Sequence, residues 1–153
     1  MTQIITTILS AIFIAAISSW ITVQLSLKRF RFERWWERKV DAYSKIIEAL
    51  HNLKAFSDNH LDALMRGSEL SEEKDLELRA RSQAARTELD KIVDIGSFLL
   101  SDQSFKRIQQ FRKERNSLGS SPDWVEYLEN DLHITSNCLS DLINLAKEDL
   151  KTP

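Results

Sequence analysis

The residues of this sequence that could carry out metal or acid–base chemistry are three histidines and one cysteine. His51, His60 and His133 lack metal-ligand spacing with one another and with Cys138. An aspartate stands two residues from His60 and from His133, but residues two apart face different sides of a helix. The sequence has no glycine-rich phosphate loop and no Gly-x-Ser-x-Gly elbow. We therefore expect no enzyme, no cofactor and no metal site, and interpret these four residues as structural.

Charge is segregated towards the C-terminus. The segment FKRIQQFRKER, Phe105–Arg115, is basic, and the helical pattern that follows it is acidic. In one interpretation the two helices pack antiparallel and their charges pair. In the other, a basic surface contacts an acidic protein partner, anionic lipid or nucleic acid; its residues are Lys106, Arg107, Arg112 and Lys113. The formal net charge is only −2, so nucleic acid is not an expected partner.

An apolar segment near the N-terminus has no charged residue over 24 positions, residues 4–27. As a helix it would be about 36 Å long, enough to cross a hydrocarbon core of about 30 Å. A signal peptide would begin with basic residues, so we expect an uncleaved transmembrane anchor over residues 1–27. Basic residues follow it and none precede it, which predicts an external N-terminus and a cytoplasmic domain, residues 28–153, at the inner membrane. A single cysteine cannot form a disulfide within the chain, which suits the reducing cytoplasm.

One side of this segment carries small and hydroxyl side chains. The residues that we expect to line a pore or to associate helices are Thr7, Ser10, Ala11, Ile14, Ser18 and Thr22. Small residues four apart let helices approach closely, so we predict a homo-oligomer. Two interpretations are open: the hydroxyls line a water-filled path with Ile14 as its constriction, or they bond their own helix and the face only packs.

The segment RFERWWERK, Arg31–Lys39, poses a further choice. The residues expected at the membrane interface are Lys28, Arg29, Phe30, Arg31, Phe32 and Arg34. Trp35 and Trp36 would lie about 12–14 Å beyond the span, on the helical stripe that contains Tyr43. We therefore predict that both tryptophans belong to the core. Glu33 and Glu37 halve the local positive charge and disfavour a nucleic-acid platform.

Three glycines, two prolines and no alternating pattern predict an all-α fold: an N-terminal transmembrane helix that continues into a cytoplasmic bundle of three to four helices. The first helix should end at Gly67, and Ser, Asp and Asn at positions 56–60 could interrupt it. A second helix should follow Ser71. A third should begin at Ser101 and end at Gly119.

The last predicted helix has Ser121 as N-cap and Pro122 in its first turn. Its apolar residues are spaced as in a helix-packing seam: Val125, Leu128, Leu132, Thr135, Leu139, Leu142 and Ala146. Within the seam, Leu132, Leu139 and Leu142 are candidates for an oligomer or partner surface.

The stretch RFERWWERKVDAYSKIIEALHNLK, Arg31–Lys54, resembles small bacterial single-pass membrane proteins with a cytoplasmic helical domain. Some proteins of this build are encoded with phage-defence systems, including pore-forming accessories of RNA-targeting CRISPR effectors. Arg115 and Asn116 begin the Arg-x(4–6)-His pattern of helical HEPN-type ribonucleases, but no histidine follows, so no catalytic residue is implied.

Two functional hypotheses result. In the first, an oligomeric inner-membrane protein, active in phage defence as the resemblance implies, alters membrane permeability when its cytoplasmic domain is triggered. In the alternative, a structurally passive anchor tethers a protein-interaction or regulatory module. An unrelated apolar span would be tolerated only in the second.

Overall fold

The structure, a computed structural model, describes residues 2–95, 98–120 and 123–151; for residues 2–12, 95 and 120 it describes the backbone alone. The described residues form four α-helices and no strand, which confirms the all-α prediction. The helices are α1 (Thr2–Met65), α2 (Glu72–Ile95), α3 (Asp102–Ser117) and α4 (Trp124–Asp149), with a 3-10 turn at Leu118–Ser120. The chain divides into two compact units, Met1–Glu37 and Arg38–Pro153.

Helix α1 ends where the sequence predicts. Gly67 has a φ of 63°, a left-handed conformation that glycine adopts without steric cost. Its N–H donates to the carbonyl of Leu64, and the N–H of Ser68 donates to the carbonyl of Ala63, so two carbonyls of the last turn are satisfied.

The interruption considered at residues 56–60 does not occur, because α1 is helical throughout this stretch. Two of its polar side chains are bonded in ways that leave the helical backbone intact. The hydroxyl of Ser57 donates to the carboxylate of Asp131 on α4, and the amide of Asn59 donates to the carbonyl of Ala55. Neither competes for a backbone N–H of the helix.

Side-chain oxygens begin the other helices. Ser101 is the N-cap of α3, as predicted, and accepts a hydrogen bond from the N–H of Ser104. The prediction for α4 is wrong by two residues: its N-cap is Asp123, whose carboxylate accepts from the N–H of Val125 at 3.1 Å. Aspartate is among the best N-cap residues, which explains the later start. Ser121 and Pro122 lie outside the described residues.

All four helices contribute to the core of the unit Arg38–Pro153. Its larger cluster joins one face of each helix, and a smaller one contains Phe56, Leu61, Leu78 and Leu128. The main residues of the larger cluster are Tyr43, Ile46, Leu50, Leu53, Ala85, Leu89, Ile92, Val93, Ile108, Phe111, Cys138, Leu142 and Ala146.

The prediction that the two adjacent tryptophans belong to the core is wrong. Trp35 is 41% exposed and Trp36 is 40% exposed, and Phe32 on the same stripe is 41% exposed. Burial along α1 begins at Lys39, whose ammonium group contacts Asp149 at the end of α4. The helical spacing of apolar residues extends towards the N-terminus beyond the last buried position. The prediction was wrong because it took this spacing as evidence of burial.

The predicted seam of α4 is only partly the buried face. Leu142 is completely buried within the chain, while Leu132 and Leu139 are half-buried against the two clusters and Val125 is exposed. Thr135 is completely buried, as the seam predicts, but the buried face also includes Asp131 and Cys138, which lie outside the predicted seam.

Candidate functional site

Residues 13–27 form an unusually apolar exposed surface. The exposed fraction is 68% for Phe13, 65% for Trp20 and 64% for Leu25. The other large apolar residues exposed here are Ile14, Ile17, Ile21, Val23 and Leu27. A contiguous apolar surface of this kind marks contact with a partner or with lipid. Among the described residues, no helix combines the length and apolarity of a membrane span.

The predicted polar face of this segment is visible in part. The side chains of Thr7, Ser10 and Ala11 lie outside the part of the chain whose side chains the structure describes. Ile14 is 63% exposed, and Ser18 and Thr22, one turn apart, are exposed. The hydroxyl of Thr22 donates to the backbone carbonyl of Ser18 at 2.8 Å. Its proton is therefore bonded within its own helix, while its lone pairs can still accept.

The predicted interface residues are all exposed: Lys28, Arg29, Phe30, Arg31, Phe32 and Arg34. Arg29 donates to Glu33 at 2.8 Å, and the guanidinium of Arg34 lies 5.2 Å from the centre of the Phe30 ring. Such a cation–π contact holds the cation beside an aromatic side chain without neutralising it. This stretch thus presents aromatic and cationic side chains together, the combination that suits a membrane surface.

The basic helix α3 pairs with acidic residues of its neighbours. Arg107 donates to Asp141 and Arg115 to Asp131, both across 2.7 Å, which joins α3 to α4 in antiparallel order. Arg112 lies 3.1 Å from Asp90 of α2. Lys106 and Lys113 are exposed and form no ion pair with any residue that the structure describes. Of the four candidate surface residues, Arg107 and Arg112 thus form ion pairs within the described part of the chain, and Lys106 and Lys113 do not.

A buried ion pair that sequence reasoning missed lies at the contact of three helices. Asp131 of α4 is completely buried; one of its carboxylate oxygens accepts from the Nε of Arg115 and the other from the hydroxyl of Ser57 at 2.6 Å. Thr135, one turn along α4, is also completely buried, and its hydroxyl has no hydrogen-bond partner among the described residues. No local sequence signal indicated this pair, because Asp131 lies beside the predicted seam and not within it.

A second polar cluster joins α1, α3 and the end of α4. Asp149 accepts from Lys39 at 2.7 Å and from the hydroxyl of Tyr43 at 2.6 Å, and that hydroxyl also lies 2.8 Å from the hydroxyl of Ser104. Burial acts to raise the pKa of Asp149, but the hydrogen bonds from Lys39 and Tyr43 outweigh it, so this pKa is lowered. Burial, and then the bond to Asp149, raise the pKa of Tyr43.

The histidines and the cysteine occupy separate places. The Nδ1 of His60 donates to the carbonyl of Phe56, and its Nε2 lies 2.9 Å from Asp75, which links α1 to α2. His133 forms a hydrogen bond with Asn137 of its own helix, with 3.0 Å between the Nε2 of the histidine and the Nδ2 of the amide. Burial raises the pKa of the Cys138 thiol to about 12. In the described part of the chain, no three His, Cys, Asp or Glu side chains are grouped to hold a metal ion.

Comparison with known proteins gives no relative: no family model, no curated protein and no solved structure matches this chain.

Proposed function

We propose that this chain is a self-associating inner-membrane protein that alters membrane permeability when its helical domain, residues 38–153, is triggered. The observation that carries the proposal is the exposed apolar surface of residues 13–27. It continues an uncharged sequence that begins at residue 4, and exposed basic residues follow it directly. Lipid is the environment that suits such a surface, and the basic residues suit its cytoplasmic side.

The permeability part rests on the exposed hydroxyls of Ser18 and Thr22 within this apolar surface. Facing copies of the segment would bring these hydroxyls together, with Ile14 one turn away as an apolar constriction. Thr7 and Ser10 belong to the same helical face by their sequence spacing.

A second candidate function is a passive membrane tether for an interaction module. One hydrogen bond supports it. Because the hydroxyl of Thr22 donates to the carbonyl of Ser18, the face could serve helix packing alone. In that case residues 4–27 could be replaced by polyleucine without loss of function.

The experiment measures membrane potential in bacterial cells that express the wild-type chain or Ile14→Asn, with oligomer size followed by cross-linking. Alkaline carbonate extraction of membranes first tests whether the chain resists release. We expect retention in the membrane and a collapse of potential that depends on position 14. The matched control is Val23→Asn, an equally polar substitution off the hydroxyl face. Release of the chain by carbonate would contradict the membrane-anchor hypothesis. An unchanged membrane potential with intact oligomers in every variant would contradict the permeability hypothesis and support the passive tether.

A further inference from the structure

We infer that a groove between α2, α3 and α4 binds a small phosphate ester with a planar ring, of the nucleoside monophosphate class. The groove has a volume of about 490 Å³ and lies in the unit Arg38–Pro153. Small-molecule sites in proteins have volumes of about 300–1,000 Å³, so it can hold a ligand of this size. The inference goes beyond the proposed function and does not depend on it.

Three arginines from two helices give the groove its chemistry. Arg86 comes from α2, and Arg112 and Arg115 come from α3. Guanidinium groups bind phosphate through paired N–H donors, and several around one space favour a ligand with more than one anionic oxygen. Arg115 has a structural role in its ion pair with Asp131, and Arg112 has a weaker one in its exposed pair with Asp90. Arg86 has no such role, because it is exposed and forms no ion pair with a described residue.

The hydrogen bonding of Arg115 also remains incomplete. Its Nε donates to Asp131, but its Nη2 is buried and has no partner among the described residues. Arg115 therefore adds positive charge at the wall of the groove, and its bond to Asp131 uses only part of its donor capacity. The amide of Asn116, which also lines the groove, adds a neutral donor and acceptor.

The remaining wall is aromatic and apolar. Tyr127 lines the groove, and its ring lies parallel to that of Trp124, with 5.4 Å between ring centres. The stacking holds Tyr127 in place, and Leu89 and Phe111 complete the apolar lining. An inorganic anion has no apolar surface to bury against this wall. A base or another planar ring attached to the phosphate would contact it.

One acidic residue opposes anion binding. Asp90 lines the groove and lies 3.1 Å from Arg112, with 58% of its side chain exposed. A bound phosphate must compete with this carboxylate for the same guanidinium. Removing the carboxylate should therefore strengthen binding, an effect that damage to the fold cannot imitate.

Isothermal titration calorimetry on the full chain in detergent micelles tests the proposal, with AMP, adenosine, inorganic phosphate and glycerol 3-phosphate as probes. We expect AMP to bind most tightly. Arg86→Gln and Arg112→Gln should each weaken AMP binding roughly tenfold to a hundredfold, the effect of a lost charge-assisted contact. Asp90→Asn should strengthen it roughly threefold to tenfold. Lys91→Gln, which removes one charge from α2 outside the groove, is the matched control and should change nothing.

Tyr127→Leu tests the ring contact and should reduce AMP affinity to that of glycerol 3-phosphate. Helix content by circular dichroism checks each variant. Three results would overturn the proposal: no AMP binding at millimolar concentration, AMP binding that Arg86→Gln and Asp90→Asn leave unchanged, or glycerol 3-phosphate binding as tightly as AMP. The last would indicate a lipid headgroup or another simple phosphate ester as the ligand.

Discussion

Replacing Asp131 by Asn should strongly destabilise the unit Arg38–Pro153. The substitution keeps the shape of the side chain and removes the negative charge opposite Arg115. The carboxylate is completely buried, and the side chain of Arg115 is only 12% exposed. The arginine would therefore remain charged with little of its side chain exposed to water.

The magnitude follows from the burial of the pair. Two unit charges about 4 Å apart interact by about 4 kcal/mol at an effective dielectric constant of 20. Removing one partner of a buried ion pair costs about 3–5 kcal/mol, because the other charge is left uncompensated. The amide oxygen can still accept from the hydroxyl of Ser57, so that hydrogen bond adds little to the loss. We expect the free energy of unfolding to fall by about 4 kcal/mol.

Asp141 supplies a matched control on the same helix. It accepts from the Nε of Arg107 at 2.7 Å, the same donor atom and distance as in the bond between Asp131 and Arg115, but 53% of its side chain is exposed. Exposed ion pairs contribute about 0–1 kcal/mol, so Asp141→Asn should have a small effect. Burial is the main difference between the two ion pairs, although Arg107 also lies 3.5 Å from Glu114 and would keep that acidic neighbour.

Urea unfolding of the full chain in detergent micelles, followed by circular dichroism at 222 nm, measures both variants. Equal losses for Asp131→Asn and Asp141→Asn would refute the reasoning, since burial would then not decide the cost. A third variant separates charge from packing: Ser57→Ala, Arg115→Met and Asp131→Leu together should recover most of the lost stability. Replacing a whole buried ion pair by apolar residues is often neutral or stabilising.

Three other predictions concern single residues. Because the pKa of Asp149 is lowered in the folded state, its stabilising effect is present above the unfolded pKa of about 3.9 and is lost as the pH falls through the folded pKa. Urea unfolding at pH 5 and pH 3 should thus show a larger loss for the wild type than for Asp149→Asn. Cys138, with a pKa raised to about 12, should react with a maleimide at pH 7.5 only after denaturation; rapid labelling of the folded chain would contradict its burial. Gly67→Ala should cost about 1 kcal/mol through the left-handed backbone alone, since nothing lies within 4 Å of the added carbon, and a neutral result would mean that the turn rearranges.

The helix ends were predictable because their causes are local. Gly67 and Ser101 act within a few residues of their own positions, so the sequence alone indicates where α1 ends and α3 begins. Tyr43, Leu50 and Leu53 were predictable as core residues for a similar reason, since helical periodicity identifies a face. Periodicity does not show how far along a helix that face is covered. The exposed Trp35 and Trp36 are the consequence.

The buried polar contacts were not predictable, because each joins residues distant in sequence. Asp131 appears in the sequence as one more acid of an acidic helix, and nothing local distinguishes it from Asp141. Its partner Ser57 is 74 residues away. The groove lined by Arg86, Arg112 and Arg115 likewise exists only once α2 and α3 are packed.

Two of these contacts fix one register between α1 and α4. Lys39 and Ser57 are 18 residues apart on α1, and their partners Asp149 and Asp131 are 18 residues apart on α4. Eighteen residues make five turns of a helix at about 3.6 residues per turn, so both contacts lie on the same face of each helix. Sliding α4 along α1 by one residue would break both contacts at once. A purely apolar seam would impose no such penalty, since leucines tolerate neighbouring leucines in several registers. We therefore expect the buried charges to select this register over alternative packings of the bundle, a role that buried polar groups have in some proteins.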